Sequence, residues 1–126
     1  MKNVIKDFIG LVLIGLLFFF ILAATCGGTE PEEVERLAPK YEAETEVRLW
    51  DGTRCDMMTA THAIEVDWAS KWAEAIGQAL YYADVTGKKP GVILLVKDPR
   101  EEARFIYRLQ TVCVKRDIRF WIERVE

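Results

Sequence analysis

The chain of 126 residues is long enough for one small domain, and it carries 17 Lys and Arg against 20 Asp and Glu, a net charge of −3. Residues 29–126 alone hold 15 basic and 19 acidic side chains, a balance of −4. Domains that bind duplex nucleic acid strongly and without sequence preference are usually basic, so this balance argues against that class. A net negative charge still allows a local strip of basic residues on the surface.

The N-terminal segment is uncharged and almost wholly apolar over residues 8–26. Nineteen helical residues at about 1.5 Å rise span roughly 28 Å, which is about one bilayer hydrocarbon core. Lysines precede the segment and glutamates follow it, which predicts the N-terminus in the cytoplasm and the rest on the extracytoplasmic, or periplasmic, side of the inner membrane. Two alternatives remain open, a cleaved signal peptide and a lipoprotein acylated at Cys26. Residues 1–28 are therefore predicted as the anchor or signal segment, and residues 29–126 as the domain.

The domain shows alternating helix and strand signals in a simple order. Thr29 is a candidate N-cap and Pro31 falls in the first turn of a predicted helix over residues 32–42. The remaining predicted elements are strands over 44–50, 53–59 and 62–68, a helix over 70–84, a buried strand over 91–97, a helix over 98–115 and a strand over 118–125. The order α-β-β-β-α-β-α-β predicts an α/β (α+β) fold, preceded by one hydrophobic N-terminal helix.

The register of the first three strands can be predicted from their loops. A three-residue loop at 50–52 pairs Glu46 with Asp56, and a two-residue loop at 60–61 pairs Asp56 with Glu65. Opposed residues, and residues two apart, point to the same side of a sheet, so Asp67 joins this set. A two-residue loop at 51–52 would instead turn Glu46 away. The residues predicted on the other face, as the core, are Val47, Leu49, Cys55, Met57, Ile64 and Val66.

The helix that follows adds polar groups behind these acids. Lys71, Gln78 and Tyr82 lie on one helical stripe, with Lys71 in the first turn just past Asp67. Acids that converge from neighbouring strands are suited to a hard cation such as Mg²⁺. The pattern therefore predicts an acidic site with a lysine beside it.

These residues resemble the PD-(D/E)XK nuclease superfamily, the restriction-endonuclease-like fold with an αβββαβ core, whose element order residues 32–97 match. The resemblance makes Asp56 the first-motif acid, with Cys55 where a proline is usual, and Glu65 the second acid. Asp67 stands where the family lysine is expected, and Lys71 on the next helix is placed for that role. Gln78 and Tyr82 match the QxxxY element of the exonuclease-like branch.

The resemblance implies a metal-dependent nuclease that hydrolyses phosphodiester bonds. Its Mg²⁺ or Mn²⁺ would be held by Asp56 and Glu65, with Asp67 or Glu46 completing the shell. The catalytic residues would be Lys71, which acts on the attacking water, and Gln78, which orients water or phosphate. Nucleic acid would be contacted by Tyr82 and Arg54.

Structural alternatives remain open for several of these residues. Arg48 and Arg54 can pair with Glu46 and Asp56, which would make this face a salt-bridge network. Lys71 can simply neutralise Asp67 or Glu74.

The two cysteines of the domain, Cys55 and Cys113, either pair outside the cytoplasm or stay as buried thiols.

The alternative function is a catalytically inactive nuclease-like fold that serves as a membrane-anchored protein-interaction or structural module. The acidic balance, Asp67 in the lysine position and the export signal favour this alternative. The acid cluster with Lys71, Gln78 and Tyr82 favours the enzyme.

Overall fold

The structure is a computed structural model that describes residues 27–126. The predicted apolar helix over residues 8–26 and the acylation candidate Cys26 lie outside the described residues. Among residues 27–126, no helix is both long enough and apolar enough to cross a membrane.

The domain is a five-stranded sheet with helices on both faces. Helix α1 begins after Thr29, whose backbone N–H donates to the Glu32 side chain at 2.7 Å in a capping box. The elements are α1 Glu30–Tyr41, β1 Glu44–Arg48, β2 Arg54–Met58, β3 His62–Trp68, α2 Trp72–Thr86, β4 Lys89–Val96, α3 Ala103–Arg116 and β5 Arg119–Arg124. This confirms the predicted order of elements.

Two helices begin later than predicted. A short 3₁₀ turn, Ala69–Lys71, precedes α2. Before α3, the Asp98 carboxylate accepts a hydrogen bond from the Arg100 N–H at 2.8 Å, and the Glu102 carboxylate accepts one from the Lys97 N–H at 2.7 Å. These side chains hold a turn, so helical backbone starts only at Ala103.

The sheet has the strand order β1-β2-β3-β4-β5. The first three strands form an antiparallel meander, and β4 and β5 add in parallel. Val47 pairs with Cys55 and Met57 pairs with Ile64, as the predicted loop lengths require, but the predicted pairs of Glu46 with Asp56 and of Asp56 with Glu65 are not among the paired residues. Gly52 has φ +86° and its N–H donates to the Leu49 carbonyl at 3.0 Å, as the predicted three-residue loop requires.

Apolar layers cover both faces of the sheet, whereas the sequence predicted a core on one face. The first layer lies between the sheet and helix α1. The second layer lies on the opposite face, between the sheet and helices α2 and α3. Strand β4 sends Ile93 and Leu95 to the first layer and Val92 and Leu94 to the second, which explains its continuous apolar sequence. Each of these side chains is fully buried and contributes about 1.5–3 kcal/mol.

Cys55 and Leu49 depart from the predicted face. Met57, Ile64 and Val66 pack under α1, as expected for the core. Cys55 and Leu49 instead pack with Ala63 and Tyr82.

Candidate functional site

Strands β2 and β3 separate where the first predicted acid lies. Their paired residues are Met57 with Ile64 and Met58 with Ala63. Beyond them the Asp56 carboxylate accepts a hydrogen bond from the Val66 N–H at 2.9 Å. The Asp56 side chain thus supplies the hydrogen-bond acceptor for the Val66 N–H of β3 and holds Asp56 against that strand. The local change in β2 also gives a physical reason for the position of Cys55.

The two acids of β3 are buried on the α2 side of the sheet. Glu65 lies opposite Val92 and Asp67 opposite Leu94 on the parallel strand β4, and both partners belong to the layer under α2 and α3. Glu65 is 5% exposed and Asp67 is 3% exposed. Asp67 accepts a hydrogen bond from the Trp68 N–H at 2.8 Å. Charged carboxylates at this depth are costly unless they are paired or protonated.

Glu30, in the first turn of α1, joins this cluster and was not among the predicted site residues. Lys71 Nζ lies 3.6 Å from Asp67 Oδ1 and 3.9 Å from Glu30 Oε2. The sequence carried no signal for Glu30, because only the packing of α1 brings it to β3. We call Glu30, Asp56, Glu65 and Asp67 the acidic cluster.

Burial raises the pKa of all four carboxyl groups, and repulsion within the cluster adds to the rise for Glu30, Asp56 and Glu65. Burial, reinforced by the Asp56 and Asp67 charges, raises the pKa of Glu65 to about 9. Burial raises the pKa of Glu30 to about 7, with Asp67 and Asp56 adding to it. Burial also raises the pKa of Asp56 to about 6 against the opposing Val66 hydrogen bond, and it raises the pKa of Asp67. The cluster therefore retains protons near neutral pH unless a cation replaces them.

One oxygen of the cluster has no donor. Glu65 Oε2 is buried, and no hydrogen-bond donor of the described residues reaches it. A carboxyl oxygen in that position is satisfied by a proton shared with a neighbouring carboxyl group, or by a cation. A proton shared with Asp56 satisfies Glu65 Oε2 without any ligand, and a cation would replace that proton.

Lys71 is close to the cluster, as predicted, and its side chain is about half exposed. The Asp67 carboxylate, and next that of Glu30, raise the pKa of the Lys71 ammonium group. Its contacts fit the neutralising alternative, and its position also leaves it beside any water bound at the cluster.

Gln78 and Tyr82 lie behind the acids. Tyr82 is 6% exposed and packs with Cys55 and Ala63, so little of its ring is free to contact a nucleotide. Burial, followed by the Glu65 and Asp56 charges, raises the pKa of Tyr82 to about 12, and the Gln78 side chain acts against this rise. Tyr82 therefore lies close to Asp56 and Glu65.

Glu46 lies at the edge of the site and has an arginine partner. Arg54 Nε lies 2.5 Å from Glu46 Oε2, as in the salt-bridge alternative, and Glu46 adopts φ +54°. Among the described residues, Asp56 forms no ion pair with Arg48 or Arg54. The Glu46 charge still contributes to the raised pKa of Asp56. Arg54, predicted to contact nucleic acid, is engaged by Glu46.

The two cysteines of the described residues, Cys55 and Cys113, are buried free thiols. Cys55 packs near Tyr82, whereas Cys113 packs in the layer under α2 and α3. Burial raises the pKa of each thiol to about 11, which makes both unreactive.

No group of three or more His, Cys, Asp or Glu side chains within residues 27–126 is arranged to hold a metal ion as it stands. No protein-family model matches the chain, and no curated protein or solved structure is significantly similar to it. The function must therefore be argued from the acidic cluster alone.

Proposed function

We propose that this protein is a metal-dependent nuclease-like phosphodiesterase whose acidic cluster binds Mg²⁺ or Mn²⁺. The supporting observation is the buried Glu65 Oε2, which no donor reaches, in the middle of carboxyl groups with raised pKa values. Repelling carboxylates in a partly desolvated site are the usual donors for a hard divalent cation.

The donor chemistry fits such an ion. Asp56 and Glu65 are the expected ligands, and Asp67 is the third, once it is released from Lys71. Glu46 is a weaker fourth candidate because Arg54 holds it. A bound divalent cation would lower the pKa of a coordinated water and offset charge on the scissile phosphate.

The remaining residues have roles that their positions support. Lys71, released from Asp67 and Glu30, would hold and orient a water molecule next to the phosphate. Gln78 keeps the Tyr82 hydroxyl oriented behind Asp56 and Glu65. In this proposal Tyr82 lies beside the two acids, Asp56 and Glu65, and does not make the nucleotide contact that the sequence suggested.

Cation binding is proposed to compete with protons. The pKa of Glu65 is about 9 and that of Glu30 about 7, so the metal-free cluster carries protons at pH 7. A cation can bind only as they leave, and its affinity should therefore rise between pH 6 and pH 9. An exposed set of surface acids, already ionised at pH 6, would show no such dependence.

The test is calorimetric titration of the full chain, kept in non-ionic detergent because of its apolar N-terminal segment, with Mn²⁺ at pH 8. We expect saturable binding that Asp56→Asn and Glu65→Gln each abolish, because each removes one anionic ligand with little change of shape. Asp84→Asn removes the same charge from an exposed position of α2 and should leave binding unchanged.

Cleavage is tested with labelled single- and double-stranded DNA and RNA in the presence of Mn²⁺. Lys71→Ala should lose cleavage and keep Mn²⁺ binding, since its proposed contact is with water. Lys115→Ala, which removes an exposed cation from α3, is the matched control. Absence of both binding and cleavage at millimolar Mn²⁺ would refute the enzyme.

The same proposal includes attachment to the membrane through residues 8–26, with the domain outside the cytoplasm. A reporter fused after Glu126 should be active only in the periplasm or outside the cell. Reporter activity in the cytoplasm would contradict this orientation.

A second candidate is an inactive nuclease-like module, for which the absence of a ready three-ligand group in residues 27–126 is the specific observation. In that case the cluster holds protons permanently, and Lys71 serves as the counterion of Asp67 and Glu30. Mn²⁺ would then give no calorimetric signal at any pH between 6 and 9.

A further inference from the structure

A group of basic side chains lies at the other end of β3, away from the acidic cluster. His62 begins β3 and pairs with Lys89 on β4, and Arg119 begins β5. The charges of Lys89 and Arg119 both act on the His62 ring. The amino ends of three neighbouring parallel strands therefore bring three basic groups together.

These basic groups line two cavities that meet at His62 and Arg119. One cavity, of about 540 Å³, lies on the α3 side and includes Lys89. The other, of about 390 Å³, lies on the α1 side and includes the Trp121 ring. We call the two together the basic groove.

No acidic side chain neutralises the basic groove in the described residues. Lys89 and Arg119 have no carboxylate within 4.0 Å, whereas Lys40 and Arg54 each have one and Lys71 has two. Asp117 and Glu42 line the cavities and are the acids closest to the groove, but neither forms an ion pair. Lys88 is occupied, because its Nζ donates to the Thr59 and Ala60 carbonyls at 2.8 and 3.0 Å.

The groups that remain free have the chemistry of an anion site. Arg119 lies over the Trp121 ring, with its guanidinium carbon 5.6 Å from the ring centroid, which limits its motion and leaves its N–H groups available. Lys89 supplies a mobile ammonium group. His62 Nδ1 lies 2.8 Å from Thr61 Oγ1, which leaves Nε2 for a ligand. Arginine, lysine and histidine side chains together favour phosphate oxygens over a single carboxylate.

We propose that the basic groove of His62, Lys89 and Arg119 binds the phosphate group of a ligand, at a site separate from the acidic cluster. The phosphate comes either from a free phosphorylated molecule or from the backbone of a nucleic-acid strand. Both sources present the same oxygens to these three side chains, and the experiment separates them.

Protonation of His62 follows from this arrangement. Burial, and next the Lys89 and Arg119 charges, lower the pKa of His62, so its ring is neutral at pH 7 without a ligand. The groups that face it are Lys89 from β4, Arg119 from β5, Asp117 before β5, Glu42 after α1 and Thr61 beside it. A phosphate dianion between these cations reverses the balance and raises the pKa of His62.

The test uses the full chain in non-ionic detergent with EDTA, so that no divalent cation is bound and the acidic cluster takes no part. Inorganic pyrophosphate and a ten-nucleotide single strand are titrated separately at low ionic strength. His62 is the only histidine in the chain, so its ring signal in NMR reports the site without further assignment. We expect that signal to move on addition of ligand and its pKa to rise.

The matched variants are the double change Lys89→Ala with Arg119→Ala, and the control Arg100→Ala with Arg104→Ala, which removes two exposed cations elsewhere. The first should weaken binding by roughly tenfold or more, because two charge-assisted contacts are lost, and the second should leave it unchanged. Circular dichroism checks that both variants fold.

The titrations either support or overturn phosphate binding by the basic groove. Pyrophosphate binding that the first variant weakens supports a free phosphorylated ligand, and binding of the strand alone supports nucleic acid. No binding of either probe, or binding that both double variants retain, overturns the proposal. Glu65→Gln should not alter these results, so a failure of the proposed enzyme leaves this test intact.

Discussion

The two ends of β3 carry opposite charges in opposite environments. From its middle to its carboxyl end, Glu65 and Asp67 are almost fully buried and lie among other acids. At its amino end His62 is only partly buried and lies among exposed cations. Along β3, at roughly 3.3 Å per residue, His62 lies about 10 Å from Glu65 and about 16 Å from Asp67. One strand thus connects a buried acidic site and an exposed basic site, and we expect their charges to affect stability and binding differently.

The difference in burial determines what each site does to stability. Like charges removed from water repel one another strongly, so the acidic cluster destabilises the fold whenever it is ionised and no cation is bound. Like charges in water are screened by salt, so the basic groove costs little. We therefore expect changes in the acidic cluster to alter stability and changes in the basic groove to alter binding alone.

The largest expected effect is a loss of stability with rising pH in the metal-free protein. The folded pKa values of Glu65 and Asp56, about 9 and about 6, lie above their ordinary values of 4.5 and 3.8. The folded state therefore binds more protons, its stabilisation is complete below about pH 4, and it is lost as the pH rises through 6 to 9. We expect the free energy of unfolding, measured with urea in EDTA, to fall by a value on the order of 5 kcal/mol between pH 5 and pH 9.

The variant Glu65→Gln tests whether Glu65 causes this fall in the free energy of unfolding with rising pH. A neutral amide keeps the shape of the side chain and cannot ionise, so most of the pH dependence should vanish. If Glu65→Gln and the unchanged protein lose stability equally between pH 5 and pH 9, repulsion within the cluster is not the cause. Asp84→Asn on the exposed face of α2 serves as the control.

The second prediction concerns the separation of β2 from β3. Asp56→Ala leaves the Val66 N–H without its partner and should cost about 1–3 kcal/mol at pH 5, where repulsion is small. Asp56→Asn keeps an oxygen acceptor and should cost less than 1 kcal/mol. Urea unfolding of the two variants side by side measures the difference, and equal stabilities would show that the hydrogen bond contributes nothing.

Much of the acidic end could be predicted from the sequence, because loop lengths fix the register of a meander. The loops at 50–52 and 60–61 place Val47 opposite Cys55 and Met57 opposite Ile64, and the structure has both pairs. The predicted closeness of Lys71 to Asp67 follows from the short 3₁₀ turn Ala69–Lys71, which directly follows β3. Local geometry decides these features, so a single sequence reveals them.

The contributions of tertiary packing could not be predicted. Glu30 reaches the cluster only because α1 packs on the sheet, and Tyr82 is buried because α2 covers the acids. The basic groove depends on parallel pairing of β3, β4 and β5, which brings together residues at positions 62, 89 and 119. No periodicity in the sequence links such distant positions.

The third prediction tests the edge of the acidic cluster. Arg54 and Glu46 form an ion pair with an Arg54 side chain that is 60% exposed. Solvent screening limits such pairs, so a double-mutant cycle of Arg54→Ala and Glu46→Gln should give a coupling energy of about 0.2–1 kcal/mol. Arg54→Ala should also weaken Mn²⁺ binding little, since Arg54 faces Glu46. A large loss of metal affinity would instead make Glu46, fixed by Arg54, an essential ligand.

The smallest expected effect on stability comes from the basic groove. Lys89→Ala and Arg119→Ala remove exposed cations that have no carboxylate partner in the described residues, so each should change the free energy of unfolding by less than about 0.5 kcal/mol. Arg119→Ala also loses its contact with Trp121, which makes it the more costly of the two.

Urea unfolding at pH 7, with and without pyrophosphate, measures the free energy of unfolding of both variants. Without pyrophosphate the two variants should match the unchanged protein, and with it only the unchanged protein should gain stability, because a ligand stabilises the state that binds it. A cost above about 1.5 kcal/mol without ligand would mean that these side chains serve the fold, and the contrast between the two ends of β3 would then be one of degree.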